Sequence, residues 1–386
     1  MRLFRSFLLP LLILIGCTAN GEGDGETATS AAAQGARPFA VEDLGRFEEP
    51  WAMVFLPGGN QALITERRGR LLLWGRQDQA SAVTAVAGVP SVDYGGQGGL
   101  GDVVLHPDFA NNRLVYLSWI EAGQGGRGAV VGRARLVAEG APPRLEGMQV
   151  IWRQQPKLSG RGHYAHRLAF SPDGRHLFIT SGDRQEFTPA QDLRGNLGKI
   201  VRLNADGSVP ADNPFADRGG VAAQVWTLGH RNPLGIAFDL SGRLWAIEMG
   251  PAGGDELNLI ERGRNYGYPI VSDGDHYDGR PIPDHDTRPE FEAPAVTWTP
   301  VISPGNMIVY SGSLFPQWRG DILAAALSGQ AVVRVDLNGA GAREAERFAM
   351  GERIREIEQH PDGSIYLLQD MKDGKGGRLL RLTPAR

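Results

Sequence analysis

The chain has 386 residues, with 40 lysines and arginines against 44 aspartates and glutamates, which gives a net charge of −4. A weakly acidic chain of this kind argues against nucleic acid or an anionic membrane surface as a partner. Its 53 glycines and eight tryptophans favour many short strands joined by tight turns.

The N-terminus has the pattern of an export signal. Arg2 and Arg5 precede an apolar run from Phe7 to Ile15, which is too short to span a bilayer as a permanent helix. The run ends in Ile-Gly-Cys, typical of the site where bacterial lipoprotein precursors are cleaved and acylated, and Cys17 is the only cysteine. Lipidation explains a solitary thiol in an exported chain. The alternative is an ordinary signal peptide with an incidental cysteine.

We therefore predict a signal peptide at residues 1–16, a flexible tether at residues 17–38 that is lipidated at Cys17, and a folded domain at residues 39–386. Removal of the signal leaves 38 basic and 44 acidic side chains, a net charge of −6. The tether lacks periodicity and cannot bury enough apolar area to repay its ordering entropy. Thr18 replaces the aspartate that retains some lipoproteins at the inner membrane. We therefore expect a lipid anchor in the outer membrane, on the periplasmic side of the cell envelope.

A turn followed by a short strand recurs six times in the predicted domain. Each copy begins with a Pro, Asp or Gly turn and continues as an alternating strand rich in β-branched and aromatic residues. The copies are residues 55–66, 106–119, 171–180, 240–248, 318–325 and 360–368. Units of this kind close radially into a propeller, which leaves only short strand edges unpaired. We predict an all-β fold, a six-bladed β-propeller of four-stranded antiparallel blades; a pair of β-sandwiches is the alternative.

Polar clusters lie between these copies, and the first of them offer candidates for binding and catalysis. Glycines at residues 95–101 surround Gln97, so the backbone can approach a ligand while the amide donates and accepts hydrogen bonds. A plain glycine-rich turn explains this segment equally well. His163 and His166 have the spacing of a metal pair, but no further ligands complete a zinc site. Asp183 ends the next strand, and its carboxylate would fix the tautomer of His163 and raise its basicity, as in a general base. A histidine at a strand entrance more often simply packs.

The next clusters carry charge or free carbonyl oxygens. Arg231 and Asn232 lie on a rigid turn, where the arginine either binds an anion, polarises a carbonyl or is merely solvated. Gly250 and Pro251 offer carbonyl oxygens close to carboxylates, and hard oxygen ligands of this sort suit calcium. The Asp-rich ladder of an EF-hand is missing.

Two arginines near the C-terminus, Arg353 and Arg355, alternate onto one side of a predicted strand. Like charges side by side are unfavourable unless an anion lies between them, so they suggest a ligand that carries a carboxylate. The sequence contains no Gly-x-Ser-x-Gly turn, no reactive cysteine and no clear acid–base pair of carboxylates. The residues therefore give hydrolase mechanisms little support.

The same clusters form an ordered series of short motifs from about Pro38 to the C-terminus. They read Gly-Gln-Gly-Gly-Leu-x-Asp, His-x-x-x-Arg-Leu, Gly-Asp, Arg-Asn-Pro-x-Gly, Gly-Pro-x-Gly-Gly-Asp-Glu-x-Asn, Asn-Tyr-Gly-Tyr-Pro and Arg-Ile-Arg. In this order and spacing they resemble the soluble PQQ-dependent aldose sugar dehydrogenases of the glucose/sorbosone dehydrogenase family. The resemblance implies a six-bladed propeller that binds the quinone PQQ and calcium at one mouth of its axis.

The resemblance also implies roles for residues of this sequence. His163 would be the general base that takes the proton of the anomeric hydroxyl while hydride passes to the quinone, so that an aldose is oxidised at C1 to a lactone. Asp183 would orient and polarise His163, and Arg231 would stabilise the oxyanion on the reduced quinone. The residues expected to contact the cofactor are Gln97, Asn232, Arg353 and Arg355. The residues expected to bind calcium are Gly250 and Pro251 at the catalytic ion, through their carbonyls, and Glu256 and Tyr266 at a second, structural ion.

Two positions depart from the family pattern. Ser328 stands where relatives carry a lysine that meets the cofactor, and its absence would cost about 1.5–3 kcal/mol, or one to two decades in affinity. His166 stands where relatives have a small residue, and it either crowds the pocket or adds a contact. We predict a PQQ-dependent aldose dehydrogenase that passes electrons to an acceptor in the cell envelope. The alternatives are a propeller that binds a sugar or a protein without quinone chemistry, and a calcium-assisted hydrolase such as a lactonase.

Overall fold

The computed structural model describes residues 37–77, 80–138, 142–371 and 376–385. The predicted signal peptide at residues 1–16, Cys17 and the tether as far as residue 36 lie outside the described residues. Within the described part of the chain, nearly all regular structure is strand, and no helix is long and apolar enough to cross a membrane.

Six antiparallel sheets of four strands form the fold. The first strand of the described residues is β1 (Phe39–Phe47), which belongs to the last sheet. The first sheet contains β2 (Pro50–Phe55), β3 (Gln61–Glu66), β4 (Arg70–Gln77) and β5 (Ala80–Val86). The second contains β6 (Leu100–Leu105), β7 (Leu114–Gly123), β8 (Gly126–Val137) and β9 (Arg144–Arg153). The third contains β10 (Ala165–Phe170), β11 (His176–Ser181), β12 (Lys199–Asn204) and β13 (Val225–Leu228).

The remaining sheets follow the same plan. The fourth contains β14 (Pro233–Phe238), β15 (Leu244–Glu248), β17 (Asp255–Ile260) and β19 (Val296–Trp298), and the two-residue strands β16 (Ala252–Gly253) and β18 (Gly274–Asp275) pair beside it. The fifth contains β20 (Pro304–Val309), β21 (Ile322–Ala326), β22 (Ala331–Asn338) and β23 (Gly341–Ala349). The sixth contains β24 (Ile354–Gln359), β25 (Ile365–Gln369) and β26 (Gly377–Pro384), and β1 completes it. The described helices are α1 (Phe109–Asn112) and the 3-10 turns Thr188–Gln191, Ala216–Arg218, Ala222–Gln224, His285–Thr287 and Pro316–Trp318.

The predicted six-bladed propeller is confirmed. The first strands of neighbouring blades contact one another in a closed ring, in the order β2, β6, β10, β14, β20 and β24. Each of the six predicted copies spans the turn between the first and second strands of one blade. In the third blade, for example, the backbone N–H of Ser171 donates to the carbonyl of His176 at 2.8 Å, and Gly174 has the positive φ of 71° that this turn requires.

The ring is closed by pairing the two ends of the described chain. β1 runs antiparallel to β26, with Phe39 opposite Pro384 and Phe47 opposite Gly377. Phe39 also packs edge-on against Phe348 and Trp318 of the fifth blade, with ring centroids 5.3 and 6.2 Å apart. Local sequence patterns did not reveal this closure.

We expect Phe39→Ala to lower the free energy of unfolding by about 3 kcal/mol, because the ring is 4% exposed and joins two blades. Val41→Ala is the matched control on the same strand, since Val41 is 40% exposed, and it should change the free energy by less than about 0.5 kcal/mol. Urea unfolding followed by tryptophan fluorescence measures both. Equal effects of the two variants would contradict this account of the closure.

A buried arginine blocks the axis of the propeller. Nη1 of Arg167 lies 2.7 Å from Oε2 of Glu356 and 3.3 Å from Oδ1 of Asp102, and Nη2 donates to the carbonyl of Gly305 at 2.6 Å. The guanidinium also stacks over the ring of Trp51, 3.9 Å from its centroid. A cavity of about 420 Å³, lined by all six first strands, lies on one side of this cluster. The predicted site residues lie on the other side.

Candidate functional site

The blade topology explains why distant motifs meet at one mouth of the propeller. In an antiparallel pair the start of one strand lies beside the end of the next. Eight of the eleven site residues predicted in the folded domain occupy those two positions, whereas Arg355 lies within β24, Glu256 within β17 and Tyr266 after β17. Those just before a first strand are Gln97, His163, Arg231, Asn232 and Arg353, and those just after a second strand are Asp183, Gly250 and Pro251.

A buried histidine–carboxylate pair lies at the centre of this mouth. Nδ1 of His163 is 2.7 Å from Oδ1 of Asp183, and the Asp183 side chain is fully buried. The same carboxylate oxygen accepts the backbone N–H of Gln185 at 2.9 Å, which fixes its orientation. With Nδ1 held by the carboxylate, Nε2 is the nitrogen left to meet a ligand. The predicted pairing of these residues is therefore present.

The electrostatics keep this imidazole neutral. Burial lowers the pKa of His163 below its usual value, and the positive charge of Arg231 acts in the same direction. The hydrogen bond to Asp183 raises the pKa, as the sequence predicted, but burial outweighs it. A neutral imidazole at pH 7 is the form that a general base requires.

The glycine-rich segment holds the backbone of the histidine. Oε1 of Gln97 accepts the backbone N–H of His163 at 2.8 Å. Gly96 has a φ of 57°, and a Cβ there would lie 2.5 Å from the carbonyl of Arg161. A Cβ on Gly182 would lie 2.1 Å from the carbonyl of His163. Close backbone approach therefore requires glycine at these positions. His163 itself has a φ of 45°, a strained conformation of the kind found at functional sites.

Arg231 lies beside the pair and is held from two directions. Its backbone carbonyl accepts the N–H of Asp183 at 2.8 Å, and its own N–H donates to Oε2 of Glu248 at 2.6 Å. Its Nη1 donates to the carbonyls of Met249 and Gly250 at 3.0 and 2.6 Å. Glu248 therefore positions the backbone of Arg231, a role that the sequence patterns did not predict. The only indication of this role in the sequence was a carboxylate at the end of a buried strand.

Several polar atoms at this mouth have no partner. Among the described residues, these buried atoms accept or donate no hydrogen bond: Oδ2 of Asp183, Nε of Arg231, Oδ1 of Asn232 and Nε of Arg353. Buried polar groups in native proteins are usually satisfied, so a cluster of exceptions indicates a place for a ligand. They come from the third, fourth and sixth blades.

An inner cavity of about 160 Å³ is lined by three guanidinium groups, those of Arg67, Arg353 and Arg355. Its described lining contains no aspartate or glutamate. Behind the cavity wall, Oδ2 of Asp370 lies 2.7 Å from Arg355 and 3.4 Å from Arg353. The sequence suggested an anionic ligand between Arg353 and Arg355. The carboxylate of Asp370 supplies part of that negative charge from within the chain. Arg67 in turn lies 3.6 Å from Glu49, a carboxylate that also pairs with Arg68. The three guanidiniums of the lining thus face two carboxylates, and the cavity keeps a positive lining.

An outer cavity of about 230 Å³ has a different set of lining residues. It is lined by His163 and Arg231, by Pro251, and by residues of the loop that follows β18. Nη2 of Arg231 donates to the phenolic oxygen of Tyr277 on that loop at 3.2 Å. His163 therefore lies in the wall of this outer, partly aromatic cavity, and the next two residues, Tyr164 and Ala165, lie in the wall of the positively lined inner one.

Comparison with known proteins identifies the family. The family model described as Glucose / Sorbosone dehydrogenase matches residues 47–381. The chain belongs to this family. The aldose sugar dehydrogenase YliI of Escherichia coli strain K12 is 39% identical over 347 residues, which cover 88% of this chain and 91% of that protein. The family assignment confirms the resemblance that the motifs indicated, and it makes the chain an oxidoreductase.

Solved structures agree with this assignment. A crystal structure of a glucose dehydrogenase is 43% identical, covers 90% of this chain and 100% of its own, and superposes with a TM-score of 0.84. The PQQ-bound form of an aldose sugar dehydrogenase from Streptomyces coelicolor is 26% identical, covers 89% and 98% of the two chains, and has a TM-score of 0.70.

The residues predicted to bind the catalytic calcium, Gly250 and Pro251, lie beside Arg231. The carbonyl of Gly250 faces a positive charge, because it accepts from Nη1 of Arg231. A carbonyl oxygen has a second lone pair, so this contact leaves room for a cation. Pro251 lines the outer cavity. No group of three or more His, Cys, Asp or Glu side chains in the described chain is arranged to hold a metal, and calcium at this position stays a prediction.

The second predicted calcium site already has a cationic neighbour. Nε2 of His285 lies 3.2 Å from the carbonyl of Tyr266, and Oε2 of Glu256 accepts from Asn258 at 3.1 Å. Burial disfavours the imidazolium, but the Asp273 hydrogen bond and the Glu256 charge raise the pKa of His285 to about 9. A calcium ion would compete with this histidine for the same carbonyl, and the structural site stays a prediction.

Ser328 and His166, the two departures from the family pattern, lie in different surroundings. Ser328 is exposed and donates to Oγ of Ser303 at 2.7 Å, outside the lining of the inner cavity. His166 lines that cavity, where its ring stacks flat on Trp51 at 5.1 Å and its Nδ1 lies 2.7 Å from Oγ of Ser118. Burial lowers its pKa to about 3, so it is neutral. A Cβ on Gly101 would lie 1.9 Å from this ring, so glycine there makes room for the histidine.

Lys199 supports the loop beside the site. Its side chain is fully buried, and Nζ donates to the carbonyls of Pro189, Ala190 and Leu197 at 2.7 to 2.9 Å. We expect Lys199→Met to lower the free energy of unfolding by about 2–4 kcal/mol, because buried carbonyls lose their donor. Lys157→Met removes a half-buried ion pair with Glu121, which keeps its second ion pair with Arg153, and it should cost less than about 1 kcal/mol in the same urea unfolding experiment. A small effect of Lys199→Met would contradict this prediction, because it would show that water molecules donate hydrogen bonds to the three carbonyls in the variant.

Proposed function

We propose that this chain is a PQQ-dependent dehydrogenase that oxidises aldose sugars at C1 to lactones. The observation that carries the proposal is the neutral, buried His163 held by Asp183 beside Arg231. Tyr164 and Ala165, which follow His163 in the chain, line a cavity that also contains three guanidinium groups. The unpartnered Nε atoms of Arg231 and Arg353 fit a ligand that bears oxyanions and carboxylates. PQQ has both, and when bound it supplies the two-electron acceptor for the hydride of C1.

His163 provides the proton transfer. Its Nε2 takes the proton of the C1 hydroxyl as the C1 hydrogen leaves with its electron pair, so the sugar loses one hydride and one proton and becomes a lactone. The imidazolium that forms is stabilised by the carboxylate of Asp183, which already holds the opposite ring nitrogen. Burial of the pair excludes water and strengthens this interaction.

Arg231 provides positive charge where negative charge develops. Its guanidinium is fixed by the carbonyls of Met249 and Gly250 and by the backbone contact to Glu248, so it needs no reorganisation during the reaction. Arg353 and Arg355 would hold cofactor carboxylates, and Gln97 and Asn232 would complete the contacts. The carbonyls of Gly250 and Pro251 would bind calcium beside it.

The N-terminal pattern supports a location for this activity. We propose that the chain is exported, lipid-anchored at Cys17 in the cell envelope, and passes electrons to an acceptor there. Replacement of Cys17 by serine in the full-length chain should move the protein from the membrane fraction to the soluble envelope fraction. An unchanged membrane fraction would reject the anchor.

The function is tested by reconstitution. Residues 39–386, expressed in a host that makes no PQQ, are mixed with PQQ and calcium, and dye reduction is followed with a panel of aldoses. Saturable, sugar-dependent reduction that requires PQQ is the expected result. Calorimetric titration with PQQ separates binding from turnover. No binding at micromolar PQQ and no activity would reject the dehydrogenase and leave a propeller that binds a sugar or a protein.

A further inference from the structure

Two aromatic rings are exposed at the mouth of the outer cavity. Phe187, in the loop after β11, is 43% exposed, and Tyr277, in the loop after β18, is 75% exposed. Both line the cavity that contains His163. Large exposed aromatic side chains in a cavity wall mark binding surfaces more often than chance exposure does.

The rings form one group, which we call the aromatic rim and define as Phe187, His276 and Tyr277. The rings of Phe187 and His276 meet edge-on with centroids 5.6 Å apart, and Phe187 also lies 6.4 Å from the buried ring of Tyr268. Phe187 has a φ of 61°, a costly conformation for a bulky residue that surrounding contacts must maintain. These contacts place Phe187 and His276, and the hydrogen bond from Arg231 at 3.2 Å places Tyr277 beside the reacting groups.

The size of the outer cavity places a limit on what it encloses. At about 230 Å³ it is below the usual range of about 300–1,000 Å³ for small-molecule sites. A sugar ring with its C1 at His163 shares this cavity with Arg231 and Pro251, the residues assigned to the cofactor and its calcium, so any further ring must extend past the rim. Asp278 and Arg280, an ion pair at 2.9 Å on the same wall, offer acceptors and donors for hydroxyl groups there.

We propose that the aromatic rim is a subsite for the second ring of a saccharide, with Tyr277 as its stacking platform. The apolar face of a pyranose ring packs on an aromatic face, and the exposed face of Tyr277 is the largest one at this mouth. The subsite makes reducing oligosaccharides preferred substrates over monosaccharides. This inference rests on the proposed function, because the first ring is placed by the reaction at His163.

The test compares glucose with maltotriose as substrates of the reconstituted enzyme. Tyr277→Ala should lower kcat/KM for maltotriose about three- to tenfold more than for glucose, mainly through KM. Tyr277→Phe keeps the ring and loses the hydroxyl contact to Arg231, so it should keep the wild-type ratio of the two sugars. Leu240→Ala, at an exposed turn that no part of the site contacts, is the control for surface truncation. An equal fall for both sugars, or a Phe variant that behaves like the Ala variant, would overturn the proposal.

A binding measurement keeps this test separate from the proposed function. Saturation-transfer NMR with maltotriose on the chain without cofactor should show contacts to its second ring in the wild type and their loss in Tyr277→Ala. Contacts confined to the reducing-end ring would reject the subsite. If no aldose is oxidised by the reconstituted chain, the proposed function fails, and the NMR result still decides whether the rim binds saccharide.

Discussion

Substitution of His163 by glutamine should lower kcat of the reconstituted enzyme by about 10²–10⁴, the usual contribution of a general base. The amide keeps a polar group in the pocket but does not accept a proton at neutral pH. PQQ affinity should change little, because the loss is of proton transfer. The measurement is steady-state dye reduction at saturating PQQ, with calorimetric PQQ titration of the same variant.

The control for this prediction is Asp183→Asn. The hydrogen bond and charge of Asp183 raise the pKa of His163, while burial and Arg231 lower it. With the carboxylate gone, the pKa falls further, so the acid limb of kcat/KM should move to lower pH while the plateau rate drops. An acid limb that moves to higher pH, or a full plateau rate in either variant, would contradict the assignment of His163 as the base.

Substitution of Arg231 by glutamine should lower kcat by about 10²–10³, the usual effect of removing a preorganised donor to a developing oxyanion. Arg231→Lys is the matched variant, because it keeps the charge and loses the forked contact to Met249 and Gly250. We expect it to recover part of the rate. Single-turnover kinetics with glucose separates this chemical step from product release.

The pH profile of Arg231→Gln provides a second, independent readout. The positive charge of Arg231 lowers the pKa of His163, so its removal raises that pKa and should move the acid limb to higher pH. Asp183→Asn and Arg231→Gln are thus expected to shift the limb in opposite directions. A merely structural role for either residue would lower the rate without this pair of opposite shifts. Shifts of the same sign would reject the electrostatic account.

The sequence predicted the repeating part of the fold well. Copies such as residues 171–180 combine turn residues with a β-branched strand, and both signals are local. The second copy shows the limit of this reasoning, because α1 lies within the residues 106–119 that form it. One helical turn of four residues leaves no periodicity that a pattern could reveal.

The sequence predicted the central residues of the site but not the carboxylates that support them. The pairing of His163 with Asp183 followed from two motifs at strand ends and from the family resemblance, and the structure shows it. Glu248 and Asp370 were not assigned roles, although one holds the backbone of Arg231 and the other lies between two arginines. Carboxylates are common, and only the three-dimensional neighbour distinguishes a positioning carboxylate from a solvated one.

The sequence by itself determined the strand-and-turn units and the motif residues at the mouth, because these depend on residues close together in the chain. It also determined the family, because the motifs keep their order and spacing along the chain. The tertiary structure alone decided the pairing of β1 with β26, the blocking of the axis by Arg167 and the aromatic rim around Tyr277. These contacts join residues from separate blades, and their energies depend on burial and distance, which no local pattern encodes. The pKa of His163 is the clearest case: the pattern indicated the carboxylate that raises it, and only folding supplied the burial and the Arg231 charge that lower it.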